Sequence, residues 1–225
     1  MNPKVKHILS LIAVITSITC LLGYCIFALI YFHKPDQKVQ CKSVSVCVMD
    51  STEHGFVNAA MIYDHLAKQK LSPIGGMIGI EESHRIEKSI AKLSPIKEVH
   101  CYMGYNGNFH INLYQRCPIY RVLPSEGVSY YIDNDRRTMP ISHLFTAYTP
   151  IVTGKITPDE AKGELYDFMV YLLSDDDWNA LFTEVHIDEK HNIRLTSRQG
   201  IKYIELGKLN NYANKMEKLR AWYQQ

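Results

Sequence analysis

The chain has 225 residues, with 25 Lys+Arg against 23 Asp+Glu and a formal net charge of +2. Beyond residue 32 the charges balance, because the first 32 residues hold Lys4, Lys6 and no acidic group. This excludes the basic field that grips phosphate backbones, and with it a nucleic-acid partner.

Residues 1–7 make a short tail, and Ile8 to Phe32 then runs 25 residues without Asp, Glu, Lys or Arg. As a helix this is about 37 Å long, enough to cross a hydrocarbon core of about 30 Å with some tilt. A cleaved signal has an apolar region of about 7–15 residues and an Ala-x-Ala-like site. Phe27-Ala28-Leu29-Ile30-Tyr31 offers no such site, so 8–32 is expected to be an uncleaved transmembrane helix. Lys34, Lys38 and Lys42 nearly offset Lys4 and Lys6, so charge hardly decides orientation. The short tail and long remainder favour tail inside, bulk outside.

A strand is expected over Val39 to Met49, where Val44, Val46 and Val48 alternate with small or polar residues. Cys41 and Cys47 lie six steps apart on it, about 20 Å, whereas a disulfide needs Cα atoms within about 7 Å. A helix near Asn58 to Lys70 places Ala59, Ile62 and Leu66 at helical spacing, and Pro73 to Gly79 reads as a loop. A second helix near Glu81 to Leu93 presents Ile86, Ile90 and Leu93 and stops at Ser94-Pro95.

A hairpin follows, with Tyr105-Asn106-Gly107 as a three-residue loop and Gly107 left-handed. That register pairs Met103 with Phe109, Cys101 with Ile111 and Val99 with Leu113, and turns His100, Tyr102, His110 and Asn112 away from the core. No disulfide framework is imposed, and a cross pair such as Cys47 with Cys101 stays open. Strands are expected at Val128 to Ile132 and Thr149 to Val152. Thr157-Pro158-Asp159-Glu160 opens a helix as a capping box with proline at its first position. Ala161, Leu165, Phe168, Met169 and Leu172 form its apolar face, and Asp175-Asp176-Asp177 marks a helix boundary. Glu184 to Asp188, Asn192 to Thr196 and Ile201 to Leu206 read as three successive antiparallel strands before a last helix, Leu209 to Tyr223. The fold class is α+β: a strand-helix-helix-strand-strand module, then a β-rich domain with an antiparallel sheet and flanking helices.

The chain carries no Gly-x-Ser-x-Gly elbow, His-Glu-x-x-His or phosphate-binding glycine loop. His100, Cys101, His110 and Cys117 cannot converge on one zinc ion, since in the hairpin register the histidines and Cys101 point to opposite faces. Asp133-Asn134-Asp135 starts like a calcium loop but lacks the glycine at position six and the distal glutamate. The expectation is no catalytic residue, no metal and no cofactor.

Several motifs recur in a telling order: Ser94-Pro95-Ile96-Lys97-Glu98-Val99, Arg116-Cys117-Pro118, Tyr130-Tyr131-Ile132-Asp133, Met139-Pro140-Ile141-Ser142 and Val152-Thr153-Gly154. Arg198-Gln199-Gly200 and Ile204-Glu205-Leu206-Gly207 follow. On these residues the chain resembles the FtsQ/DivIB family of bacterial cell-division proteins, in its Bacteroidota form. The resemblance implies a cytoplasmic tail (1–7), a transmembrane helix (8–32), a POTRA-like domain (33–118) and an FtsQ-type β domain (119–225). It also implies a single-pass inner-membrane protein with a periplasmic bulk, located at the division septum. Its function would be that of a non-enzymatic divisome scaffold, linking early cytoplasmic and late periplasmic division proteins and regulating septal peptidoglycan synthesis through contacts with FtsB/FtsL-like proteins. A POTRA-containing envelope export or assembly factor is the second reading, and a membrane-anchored extracytoplasmic hydrolase the last.

Two departures stand out. Gln115 replaces the acidic residue usual before the arginine, and the strand that generally follows the family's last helix and contributes to FtsB/FtsL binding is not in this sequence. Either the sequence is truncated or the partner site is built differently. Exposed strand edges bind partners by strand addition. The candidate edge is Ile201-Lys202-Tyr203-Ile204-Glu205, with Ile201 and Tyr203 as anchors beside Glu205. The hairpin edge with Tyr102 and His110 is a second candidate. Arg116 and Pro118 are assigned to the domain junction, Pro118 ending the preceding strand and Arg116 pairing with a carboxylate such as Glu98. Arg116 is also a candidate partner contact.

Overall fold

The computed structural model describes residues 3–32, 38–198 and 203–224. Helix α1 (Pro3–Phe32) contains a candidate membrane span, Leu11–Tyr31, that is not buried against the rest of the protein. A run of leucine, isoleucine and valine exposed to this degree is unfavourable in water and favourable in hydrocarbon.

The expected first strand divides into β1 (Val39–Gln40) and β2 (Ser43–Val48). The break has a cause: Cys41 N donates to Gly76 O at 2.9 Å and Lys42 N to Gly107 O at 2.7 Å, which ties the chain to two different loops. β1 pairs with β3 (Met77–Ile78). Helix α2 (Ala59–Lys68) starts at Asn58, whose side chain accepts from Met61 N. Helix α3 (Ile80–Ile90) starts at Gly79, whose N–H is capped by Glu82, and ends three residues before the expected Leu93. Ile62, Leu66, Ile86 and Ile90 are buried, as their spacing requires.

β4 (Ile96–Met103) and β5 (Asn108–Gln115) form the expected hairpin in the expected register, Met103 opposite Phe109, Cys101 opposite Ile111 and Val99 opposite Leu113. Gly107 has φ +82°, the left-handed conformation that closes this loop. β2 joins β5 in parallel, giving a three-stranded sheet of order β2-β5-β4 with α2 and α3 against it.

A seven-stranded sheet follows: β6 (Pro118–Pro124), β7 (Tyr130–Asp133), β8 (Thr138–Pro140), β9 (Ile151–Gly154), β10 (Phe182–Ile187), β11 (Ile193–Ser197) and β12 (Ile204–Gly207). Its order is β12-β11-β10-β9-β6-β7-β8. The antiparallel arrangement expected for it is corrected in the middle, where β6–β9 and β9–β10 are parallel. Between β9 and β10 the chain makes α4 (Pro158–Lys162), α5 (Glu164–Leu173) and α6 (Asp176–Leu181). A helical crossover of this length returns the next strand in the same direction. The antiparallel series β10-β11-β12 is present as read.

The capping box at Thr157 is formed, with Pro158 at the first helical turn and Glu160 accepting from Thr157 N and Oγ1, both at 2.8 Å. Those bonds hold the Glu160 carboxyl below the usual carboxylate range. The helix breaks at Gly163, but Ala161, Leu165, Phe168, Met169 and Leu172 are all buried against the sheet. Asp175 caps α6 by accepting from Trp178 N. Helix α7 (Tyr212–Tyr223) buries Met216 and is tied to that cap by Arg220, which bonds Asp175 and Asp177 and lies over the Trp178 ring.

Candidate functional site

Gln115 ends β5 and Arg116 N donates to Pro95 O, so both side chains turn inward where the two sheets meet. Gln115 uses both ends of its amide. Oε1 accepts from Val57 N at 2.8 Å, and Nε2 donates to His54 O and to Asp50 Oδ1. Nε2 donates both of those bonds, and a carboxylate has no N–H with which to make them.

Arg116 is buried, and its Nε donates to Asp133 Oδ2 at 2.6 Å while Nη1 donates to Ser94 O and Thr138 O. Asp133 is fully buried and its Oδ1 accepts from Asp135 N and Arg137 N. Asp133-Asn134-Asp135 is thus a turn that aims one carboxylate at the arginine. The partner expected for Arg116, Glu98, is corrected to Asp133, because β7 brings Asp133 opposite Pro118. Pro118 opens β6 rather than ending the preceding strand, a first position where the missing N–H costs no ladder bond. Arg116 and Pro118 therefore lie together between β5 and β6, with Arg116 buried.

The sheets share more than this ion pair. Tyr131 and Met139, from β7 and β8, pack into the cluster formed by Phe56, Ile62, Leu66, Phe109 and Ile111. Phe56 meets Tyr131 edge-on at 5.8 Å and Phe145 at 4.9 Å between ring centroids.

β12 is one edge strand of the seven-stranded sheet, β8 being the other. Ile201 and Lys202 lie outside the described residues, as do Gln199 and Gly200. Leu206 points into the core, and Tyr203 and Glu205 share the outer face. Arg194, opposite Glu205 on β11, bonds its carboxylate at 3.2 Å and places its guanidinium 4.6 Å from the centre of the Tyr203 ring. A polar row continues inward: His186 opposes Arg194, and His186 Nδ1 and Glu184 Oε1 both lie 2.8 Å from Thr153 Oγ1. Sequence reading missed Arg194, whose place opposite Glu205 follows from the β11–β12 register. It had no signal for Asp133 as the partner of Arg116.

The second edge is β4. Tyr102 and His110 stack on its outer face at 4.9 Å, opposite each other in register. Here the sequence missed Glu87, whose Oε2 accepts the Cys101 N–H at 2.9 Å and covers part of the edge. The cysteines among the described residues are free. Cys47 stands opposite Asn112, in register with His100, and Cys101 opposite Ile111, so the two point to different faces of the sheet and do not bridge. Burial, with the Glu87 carboxylate, pushes the Cys101 thiol up to about 12, and burial raises Cys41 and Cys117 as well.

Among the described residues no group of His, Cys, Asp or Glu is placed to hold a metal ion, and the polar side chains described above fasten sheets together or line their edges. Residues 39–114 match the family model described as a POTRA-like domain, and residues 117–225 match the one described as FtsQ/DivIB, C-terminal related. No curated protein matches the chain. The fold is that of an α+β protein with a POTRA-like region behind a candidate N-terminal membrane helix. The two matches together make the chain similar to the FtsQ/DivIB cell-division proteins over most of its length, and that likeness supports a non-enzymatic scaffold.

Proposed function

We propose that this protein is a divisome scaffold of the Bacteroidota type, linking early cytoplasmic to late periplasmic division proteins and regulating septal peptidoglycan synthesis through contacts alone. Residues 1–7 form the cytoplasmic tail, 8–32 the single span in the inner membrane, 33–118 the POTRA-like domain and 119–225 the partner-binding β domain, placed at the septum. FtsB/FtsL-like proteins are its partners. The observation that carries this reading is the position of β12 at the outer edge of the seven-stranded sheet, where unpaired N–H and C=O groups accept a partner strand. Tyr203 and Ile201 anchor that strand, and Glu205 fixes its register through Arg194. Tyr102 and His110 on the β4 hairpin form a secondary surface, while Arg116 and Pro118 act indirectly by fixing the junction.

Replacing Ile201 and Tyr203 together by lysine is expected to abolish co-purification of FtsB/FtsL with the full chain while leaving its thermal unfolding unchanged. Retained binding would refute the edge assignment. Depletion in the host with a fluorescent fusion tests the broader role. Filamentation with midcell fluorescence is expected, and normal division with fluorescence spread around the envelope would favour an export or assembly factor instead.

A further inference from the structure

The face by which the chain leaves α1 carries apolar side chains that strand addition at β12 does not use. β1 sets Val39 opposite Ile78 and Gln40 opposite Met77. Gly75 N donates to Cys41 O at 2.8 Å, and Lys42 N to Gly107 O at 2.7 Å. These bonds gather residues 75–78 and the tip of the β4–β5 hairpin around residues 39–42. There Ile74, Met77, Ile80 and Tyr105 are 61%, 54%, 76% and 106% exposed. Val39, Ile80 and Tyr105 line one open cleft of about 410 Å³ between α3 and β4. Lys38, bonded to Glu82, and the exposed Lys42 stand beside it, and Glu81 and Arg85 on α3 offset each other as a loose pair.

Chain length says what lies opposite. Six residue steps separate Phe32 from Lys38, so Lys38 stays within about 20 Å of the end of α1 even when the chain is fully extended. An anchor helix thus keeps this face within reach of the headgroup layer. Tyrosine and lysine are the side chains that settle there, apolar body toward lipid and polar tip toward water. Ile80 and Tyr105 at the mouth of this cleft, with Ile74 and Met77 on the adjoining loop and strand, are costly to expose to water.

We propose that Ile74, Met77, Ile80 and Tyr105, flanked by Lys38 and Lys42, form a bilayer-docking surface that seats the POTRA-like domain on the membrane its own helix crosses. The proposal rests on the reading of α1 as an uncleaved anchor.

The test uses the full chain in liposomes of phosphatidylcholine and phosphatidylglycerol, with and without lipids brominated near the headgroup. Indoles are introduced singly by Tyr105→Trp and, as a control far along the chain on the 141–150 loop, by Tyr148→Trp. Bromolipid is expected to remove roughly half of the emission added at position 105, the depth of an interfacial side chain, and none of that added at 148. Adding Met77→Asp and Ile80→Asp to Tyr105→Trp should restore the emission, with an unchanged circular-dichroism melt showing that the fold is kept. A protein that stays with the liposomes through alkaline extraction but shows no quenching at 105 keeps its anchor and overturns docking. Loss of the protein on extraction overturns the anchor reading and docking together. Quenching that survives both aspartates, or an unquenched indole whose emission varies with protein concentration, also overturns docking, the latter assigning the face to a second copy.

Discussion

At the scale of single residues, the buried Arg116–Asp133 pair is where one change has the largest leverage on the junction. Both charges are out of water, and each bonds backbone as well as the other, with Arg116 Nη2 left buried without a partner. Breaking such a pair leaves an uncompensated charge in the interior, so Asp133→Ala is expected to cost about 3–5 kcal/mol, measured by urea unfolding. An unchanged midpoint would mean that the pair is dispensable. Gln115 shows how little a substitution of charge can mean by itself. Read along the sequence, it is a lost acid, yet in the fold its amide both donates and accepts. The cysteines give a second residue-scale expectation. The nucleophile is the thiolate, and Cys101 is held as a thiol by burial and by Glu87. Iodoacetamide at pH 8 should therefore modify exposed Cys47 and spare Cys101 and Cys41 in the folded protein, with all becoming reactive in urea. Mass spectrometry of the alkylated peptides reads the outcome, and fast labelling of Cys101 in the native state would contradict the packing described.

At the scale of elements, β9 is the strand on which the large sheet depends, because it is paired in parallel on both sides. Val152 faces the core, Thr153 the polar row and Gly154 ends the strand at φ +109°. A Cβ at 154 would lie 1.9 Å from Ile187 O, a backbone atom that cannot swing aside. Gly154→Ala is accordingly expected to destabilise by more than about 4 kcal/mol, through both the close approach and the backbone conformation. Recovery of a soluble variant melting within a few degrees of the wild type would refute it. Val152-Thr153-Gly154 thus acquires a physical meaning that the motif alone lacks: core residue, polar row, forced glycine. The hairpin β4–β5 was legible in detail, since its register follows from local turn chemistry and a two-residue alternation. The parallel pairs were not, since their partners are separated by some thirty residues and no local pattern distinguishes a strand buried in parallel from one buried in an antiparallel sheet.

At the scale of the whole molecule, the POTRA-like unit and the seven-stranded sheet are joined by a packed core. Tyr131, Met139, Ile141 and Phe145 lie beyond the junction in sequence but contribute to the cluster on the other side. One cooperative unfolding transition is expected, with β4–β5 and β10–β11 amides losing hydrogen-exchange protection at the same urea concentration. Two separated transitions would show independent domains. The packed junction holds the β12 edge in a fixed attitude to the POTRA-like unit. The sequence by itself determined the long apolar N-terminal helix, the two helices and the hairpin of the first module, the hairpin register, the Thr157 capping box and the family resemblance, all of which rest on short-range spacing, turn chemistry and contiguous hydrophobicity. Only the tertiary structure decided the parallel centre of the large sheet, the strand β3 that pairs with β1, the pairing of Arg116 with Asp133 and the edge position of β12. Each of these depends on which distant segments meet, and the free energy of that meeting is shared among many weak contacts that no local stretch of sequence encodes.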